Sequence, residues 1–158
     1  MKLTIRRAEE ADYPALSELW QRLDGVHARL QPAFFRWPAK PRPRGQDRKD
    51  LADAHTAVFV GWQAGHPVGT VQVRIYDTSD QPMMLPRRRA YVEDLVVDER
   101  VLRQGVGRAL MTAAAEWAEE RGVSQIVLTV WEGNRAAARL YRDLGYREVN
   151  RVLALDLD

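Results

Sequence analysis

The stretch that most constrains the fold runs from Tyr91 to Leu110, YVEDLVVDERVLRQGVGRAL. An apolar, strand-like run (Val92, Leu95, Val96, Val97) breaks at Asp98, crosses a short charged turn and enters a helix through Gly105-Val106-Gly107. Strand, glycine turn and helix start in that order make an anion cradle. The first backbone N–H groups of a helix have no partner within it, and the aligned peptide dipoles leave partial positive charge there. Glycine lets the backbone approach a ligand because no Cβ intervenes. Arg103 and Arg108 flank the turn and can add charge-assisted bonds to the same anion. Two commoner phosphate motifs do not fit: a dinucleotide fingerprint needs a third glycine where Leu110 stands, and a Walker loop needs Gly-Lys-Ser/Thr where the chain has Gly107-Arg108-Ala109. On the glycine pair alone, a plain tight turn into a helix is an equal reading.

Downstream, Gln125 to Trp131 reads as a buried strand, Glu132-Gly133 as a turn, and Asn134 to Leu144 as a helix stopped at Gly145. Two motifs therefore stand in order: Leu102 to Gly107 with its glycine pair, then Asn134 and Ala137 followed by Leu140-Tyr141 and Gly145-Tyr146. In these the chain resembles the GCN5-related N-acetyltransferases. Their acyl-CoA signature reads Arg or Gln, two residues, Gly, one residue, Gly or Ala; their second reads Asn, two residues, Ala, then Leu-Tyr and Gly-Phe/Tyr. The likeness is close over the C-terminal half and in outline elsewhere, and it departs at Leu102, which takes the Arg/Gln place. The resemblance implies an α/β (mixed α+β) fold of the acyl-CoA N-acyltransferase kind: a central, mostly antiparallel sheet splayed at a parallel strand pair and flanked by about four helices. It also implies acetyl-CoA as co-substrate, held by Leu95, Val96, Val97, Arg103, Gln104, Gly105, Val106, Gly107, Arg108, Asn134, Ala137 and Tyr141.

The 158 residues suit one domain spanning 1–158. No apolar run approaches the roughly 18 to 20 residues of a membrane span, and MKLTIRRAEE lacks the apolar core of a signal peptide. A cytoplasmic protein with no membrane partner is the expectation. The absence of cysteine excludes disulfides, thiolate metal sites and acyl transfer through a cysteinyl intermediate. His55 and His66 come with no further ligands at metal-binding spacing, so no metal is predicted. Formal charge is only +2, yet positive charge gathers in Arg36 to Lys49, RWPAKPRPRGQDRK. Pro38, Pro41 and Pro43 predict a solvated loop there, with contact to an anionic partner as the alternative. Only Trp37 interleaves with these charges, which argues against nucleic acid.

Elsewhere the elements follow from periodicity. Leu3 to Arg6 alternates as a strand; Asp12, Pro14 and the spacing Leu16, Leu19, Trp20, Leu23 predict a helix ending near Gly25, with a shorter one over Val26 to Leu30. Asp47 to Ala54 reads as a further helical turn. Thr56 to Gln63 and Val68 to Tyr76 predict a hairpin. The strand Ala90 to Val97 leads to a helix from Gly105 to about Arg121, so the strand after it, Gln125 to Trp131, lies parallel to the first. Tyr146 to Leu157 reads as a last strand with Val149, Val152, Leu155 and Leu157 as its apolar members. That strand and Met83 to Leu85 are compatible with a homodimer.

An acceptor amine, with pKa near 10, is mostly protonated at neutral pH and must lose a proton before it attacks. A carboxylate acting directly or through water meets that need. Glu93 and Asp94 point to opposite faces of their strand, so only one can serve. Tyr91 to Asp94 looks like the corresponding strand of polyamine acetyltransferases in the resembling family, in which the residue matching Glu93 handles the acceptor amine. That likeness selects Glu93 as catalytic and substrate-binding and leaves Asp94 a structural role; ion pairing of both carboxylates is the alternative. The resemblance further implies that Tyr141 donates to the leaving thiolate. Amides near Leu95 to Val97 would bind the acyl oxygen where a bulge interrupts pairing. It sets the first helical pair over the acceptor side, which makes His27, Phe34 and Phe35, with Trp37, pocket candidates, core packing being their alternative. The sequence thus reads as an acetyl-CoA-dependent N-acetyltransferase acting directly, in a ternary complex, on a primary amine of a small molecule or peptide. A non-catalytic acyl-CoA-binding regulatory module is the alternative.

Overall fold

Alternating side chains on β-branched runs give a sheet with two covered faces. In the computed structural model, which describes residues 2–157, five strands pair in the order β1-β2-β3-β4-β5. They are β1 (Leu3–Arg7), β2 (Thr56–Gln63), β3 (His66–Asp77), β4 (Arg88–Val97) and β5 (Gln125–Leu128). The first three pairings are antiparallel and β4–β5 is parallel. Four helices flank the sheet: α1 (Tyr13–Leu30), α2 (Arg44–Ala52), α3 (Val106–Glu119) and α4 (Arg135–Asp143). The β2–β3 turn places Ala64 and Gly65 at φ 51° and 77°, the positive values a tight two-residue hairpin requires.

Strand β2 shows the layering. Ala57 and Phe59 join Val71, Val73 and Val92 under α3, whose Val106, Leu110, Met111, Ala114, Trp117 and Ala118 form its buried stripe. Val58 and Val60 point the other way, onto Leu16 and Trp20 of α1. Period-two and period-3.6 patterns thus meet on both faces of the sheet, each fully buried Leu or Val contributing about 1.5–3 kcal/mol.

Four expectations are corrected. Helix α1 does not stop at Gly25 but runs unbroken to Leu30. Gly25 is buried against Trp37, and a Cβ there would lie 2.1 Å from the indole, so the glycine makes room rather than ending the helix. The basic segment is not all loop, because α2 begins at Arg44 with Pro43 as its N-cap residue, a position that tolerates proline's missing N–H. Strand β5 is shorter than Gln125 to Trp131 and its residues are half-buried, since it pairs on one side only. Tyr146 to Leu157 forms no strand: the segment pairs with nothing in the sheet and is exposed from Arg147 onward.

Candidate active site

The site begins where the parallel pair separates. The last β4–β5 pair is Val92 with Leu128, but β4 continues to Val97. Between Gln72, opposite Asp94, and Val73, opposite Val92, the register shifts, so Glu93 is the extra residue of a β-bulge. The bulge therefore lies earlier on β4 than the expected Leu95 to Val97. Asp98 N–H donates to Val68 O at 2.9 Å. By the alternation of antiparallel pairing, Val96 also turns its N–H to β3, whereas Leu95 and Val97 direct theirs into the gap left by β5. Val96 is thus placed away from the gap, its side chain packed with Leu19 and Leu23 of α1.

Beyond β4 the chain makes the turn the glycines foretold. Asp98 caps a short turn at Glu99–Val101 by accepting from Arg100 N at 2.9 Å. Its carboxylate is only 2% exposed and holds Arg100 at 2.7 Å and Arg22 at 3.0 Å. Chiefly the Arg100 bonds, opposed by burial, lower its pKa to about 2. Arg103 and Gly105 then adopt φ 63° and 84°, and α3 begins at Val106 with no side-chain cap. Its first internal bond is Ala109 N–H to Gly105 O at 3.0 Å, so the amides of Val106, Gly107 and Arg108 precede the helical ladder. A Cβ on Gly105 would meet nothing within 4 Å, so the turn is open to solvent on that side. Gly107 has a second reason to be glycine: a Cβ there would lie 3.0 Å from Leu140 of α4. Arg103, Gln104 and Arg108 are exposed, and among the described residues the two guanidinium groups make no ion pair.

The gap opens into a pocket lined by Leu23 and His27 of α1, Tyr91 to Leu95 of β4, Leu128 to Trp131, and Asn134, Ala137 and Tyr141 at α4. Six residues singled out from the sequence, His27, Glu93, Leu95, Asn134, Ala137 and Tyr141, meet there. Asn134 caps α4, its Oδ1 accepting from Ala137 N at 3.2 Å. Tyr141 is 9% exposed with its ring 5.6 Å from that of Tyr146, and burial raises its phenol above the ordinary tyrosine range. Phe34 and Phe35 stand one layer back: both pack on Trp131, at 5.2 and 4.8 Å, and Phe35 stacks on His27 at 5.1 Å. Trp131 and Leu23 were not foreseen as pocket residues, because each sits in an apolar run that reads as core.

Both carboxylates of β4 are engaged. Glu93 accepts from Gln72 at 2.6 Å and from Arg74 at 2.9 Å, and Arg74 also bridges Asp50 and Asp53 at 3.0 Å each. Asp94 takes both ends of the Arg42 guanidinium, at 2.6 and 3.2 Å. Arg42 also meets Asp24 at 3.1 Å and lies 5.3 Å over the Trp20 ring. Nothing in the sequence marked Arg42 apart from its basic neighbours. Its place between Pro41 and Pro43 becomes meaningful only once the Tyr13 hydroxyl is seen donating to its carbonyl at 3.0 Å.

Residues 17–146 match the family model described as the acetyltransferase (GNAT) family. Over 156 residues the chain is 28% identical to an aminoglycoside N(6')-acetyltransferase type 1 of Stenotrophomonas maltophilia, covering 95% of this chain and 90% of that protein. Its fold is that of a mutant of the BH1408 protein from Bacillus halodurans, with TM-score 0.92 at 24% identity and coverage of 98% and 99%. It is also that of AAC(6')-Iy solved with the bisubstrate analog CoA-S-monomethyl-acetylneamine, with TM-score 0.72 at 20% identity and coverage of 100% and 99%. A splayed β4–β5 pair feeding an uncapped helix start, in a chain whose residues 17–146 fit that model, means that the protein belongs to the acetyltransferase (GNAT) family and is an acetyl-CoA-dependent N-acetyltransferase.

Proposed function

We propose that the enzyme passes the acetyl group of acetyl-CoA straight to a primary amine of a small molecule or peptide while both are bound. The observation that carries this reading is the pocket at the splayed pair, which gathers Glu93, Leu95, Asn134, Ala137 and Tyr141, while the strand that lines it, β4, leads along the chain to the free amides at the start of α3. Acetyl-CoA supplies a thioester and, with it, a leaving thiol. Its diphosphate suits the amides of Val106, Gly107 and Arg108, helped by Arg103, Gln104 and the open space at Gly105. The Leu95 N–H, facing the gap, serves the acyl oxygen as negative charge builds on it. Asn134 and Ala137 close the far side.

The acceptor amine enters past His27, with Phe34 and Phe35 behind it through Trp131. Glu93 draws off its proton through water, because its oxygens are held by Arg74 and Gln72. Tyr141 keeps its proton well above the pH at which a thiol ionises, so it stabilises the thiolate by a hydrogen bond rather than by full proton transfer. The lack of cysteine supports direct transfer.

We assign the enzyme to the cytoplasm and to a homodimer. Among the described residues no helix is long and apolar enough to cross a membrane, and exposed leucines near the C-terminus support a second copy. A nucleic-acid role is disfavoured because Arg42, Arg44 and Arg48 of the basic segment are engaged by Asp94, Asp24 and Glu10. The test is free-thiol release from acetyl-CoA across a panel of small amines and N-terminal peptides. Turnover with an amine and none without supports the reading, whereas CoA binding with no turnover on any amine would favour a regulatory module.

A further inference from the structure

The turn between β4 and α3 has little packing for a segment that aims amides at a ligand. From Glu99 to Gly105 every residue is exposed except Val101, which is half-buried and packs against the core that α3 covers. Arg103 stands at φ 63°, in the left-handed region that a residue with a side chain adopts only where its surroundings hold it there. Gly105 follows at φ 84°. Left to itself, an exposed turn with this backbone would exchange among conformations, and only some of them present the amides of Val106, Gly107 and Arg108 as they stand here.

One residue holds the turn in place. Asp98 N–H donates to Val68 O of β3 at 2.9 Å, which ties it to the sheet. Its carbonyl accepts from Val101 N–H at 3.0 Å, and the Val101 carbonyl accepts in turn from Gln104 N–H at 3.3 Å, so each bend hangs on the one before it. Its carboxylate accepts from Arg100 N–H at 2.9 Å and takes the Arg100 guanidinium at 2.7 to 3.2 Å. Arg22 of α1 reaches the same carboxylate at 3.0 Å and is itself held by Glu18 at 2.7 Å. The carboxylate is buried, so its loss would leave the Arg100 N–H and two guanidinium groups without this acceptor. The Arg29–Glu99 contact, 3.7 Å long and exposed at both ends, adds little to the hold.

We propose that Asp98 is a positioning residue for acetyl-CoA: it fixes the turn so that the amides at the start of α3 stand ready for the diphosphate. This rests on the reading that those amides hold that diphosphate. Asp98 is itself too buried to reach the ligand, and it lies outside the pocket at the splayed strand pair. A ligand that needs one conformation of a mobile segment binds with an affinity reduced by the fraction of time the segment spends there. By raising that fraction, Asp98 acts on affinity for the cofactor and leaves the chemical step to the pocket.

The test compares acetyl-CoA with S-acetylpantetheine, a thioester that lacks the diphosphate, and follows CoA binding by calorimetry, under conditions in which circular dichroism shows each protein fully folded. Asp98→Asn keeps the size of the side chain and removes its charge. Arg100→Gln alters only an exposed side chain and serves should the first variant fold poorly. CoA should bind about tenfold more weakly to Asp98→Asn and about threefold more weakly to Arg100→Gln. The KM for acetyl-CoA should rise by the same factors with little change in kcat, while kcat/KM for acetylpantetheine stays near that of the parent. A general structural defect would lower turnover of both thioesters alike, and that result would overturn the proposal. Unchanged CoA affinity in both variants would overturn it as well. A parent enzyme with no preference for acetyl-CoA over acetylpantetheine would instead overturn the diphosphate reading, and the role of Asp98 with it.

Discussion

Tyr141 lies under Tyr146 with its phenol held protonated by burial, and its predicted role sets what its loss should do. Tyr141→Phe removes only the donor, so turnover should fall about 10- to 100-fold with acetyl-CoA affinity nearly unchanged. Steady-state kinetics beside calorimetric CoA binding checks it, and an unaltered rate removes Tyr141 from the mechanism. Glu93→Gln should cost activity most near neutral pH and least as pH approaches 10, where free amine is abundant; an even loss across pH would mean that the Arg74–Glu93 pair is structural. Asp98 carries a different pH signature. Its folded pKa, near 2, lies below the usual carboxylate value, so its stabilisation is present above about pH 4 and is lost as pH falls from there toward 2. Asp98→Asn should therefore cost about 2 kcal/mol in urea unfolding at pH 7 and about a third of that at pH 2.5.

Among the elements, β2 and β3 could be placed from the sequence as two apolar runs about a turn and α3 from its helical stripe, and their boundaries moved by only a residue or two. Helix α1 was divided wrongly because a glycine in a helix looks the same from the sequence whether it ends the helix or admits a neighbour. The neighbour here is Trp37, twelve residues away across a turn. Gly25→Ala brings helix propensity worth about 1 kcal/mol but displaces the far end of the indole of Trp37, a residue that is 59% exposed overall. Stability should stay within about 1 kcal/mol of the parent while tryptophan fluorescence shifts, and a large loss of stability would show that Trp37 cannot move. The last strand was misplaced for the opposite reason. Its alternation was correctly seen, but alternation tells only that a segment can pair and not where its partner is.

At the scale of the molecule, the glycine turn into α3 and the Asn134 cap of α4 were legible because glycine, asparagine and helix starts announce the backbone geometry that carries them. The ionic half of the site was not. Arg42 and Arg74 approach β4 from 52 and 19 residues away, and no local pattern marks which arginine of a basic chain will turn inward. Direct transfer has a test at this scale: labelled acetyl-CoA without acceptor should leave no covalent label on the protein, and a stable acyl-protein would refute the ternary complex. The Arg42 bridge has a consequence of its own. Since this guanidinium already occupies Asp94 and Asp24 beside the pocket, the enzyme carries a built-in competitor for any multiply charged guest. Spermine-like amines would have to evict it, whereas singly charged ones need not, and Arg42→Gln should tilt the preference toward the more highly charged amine.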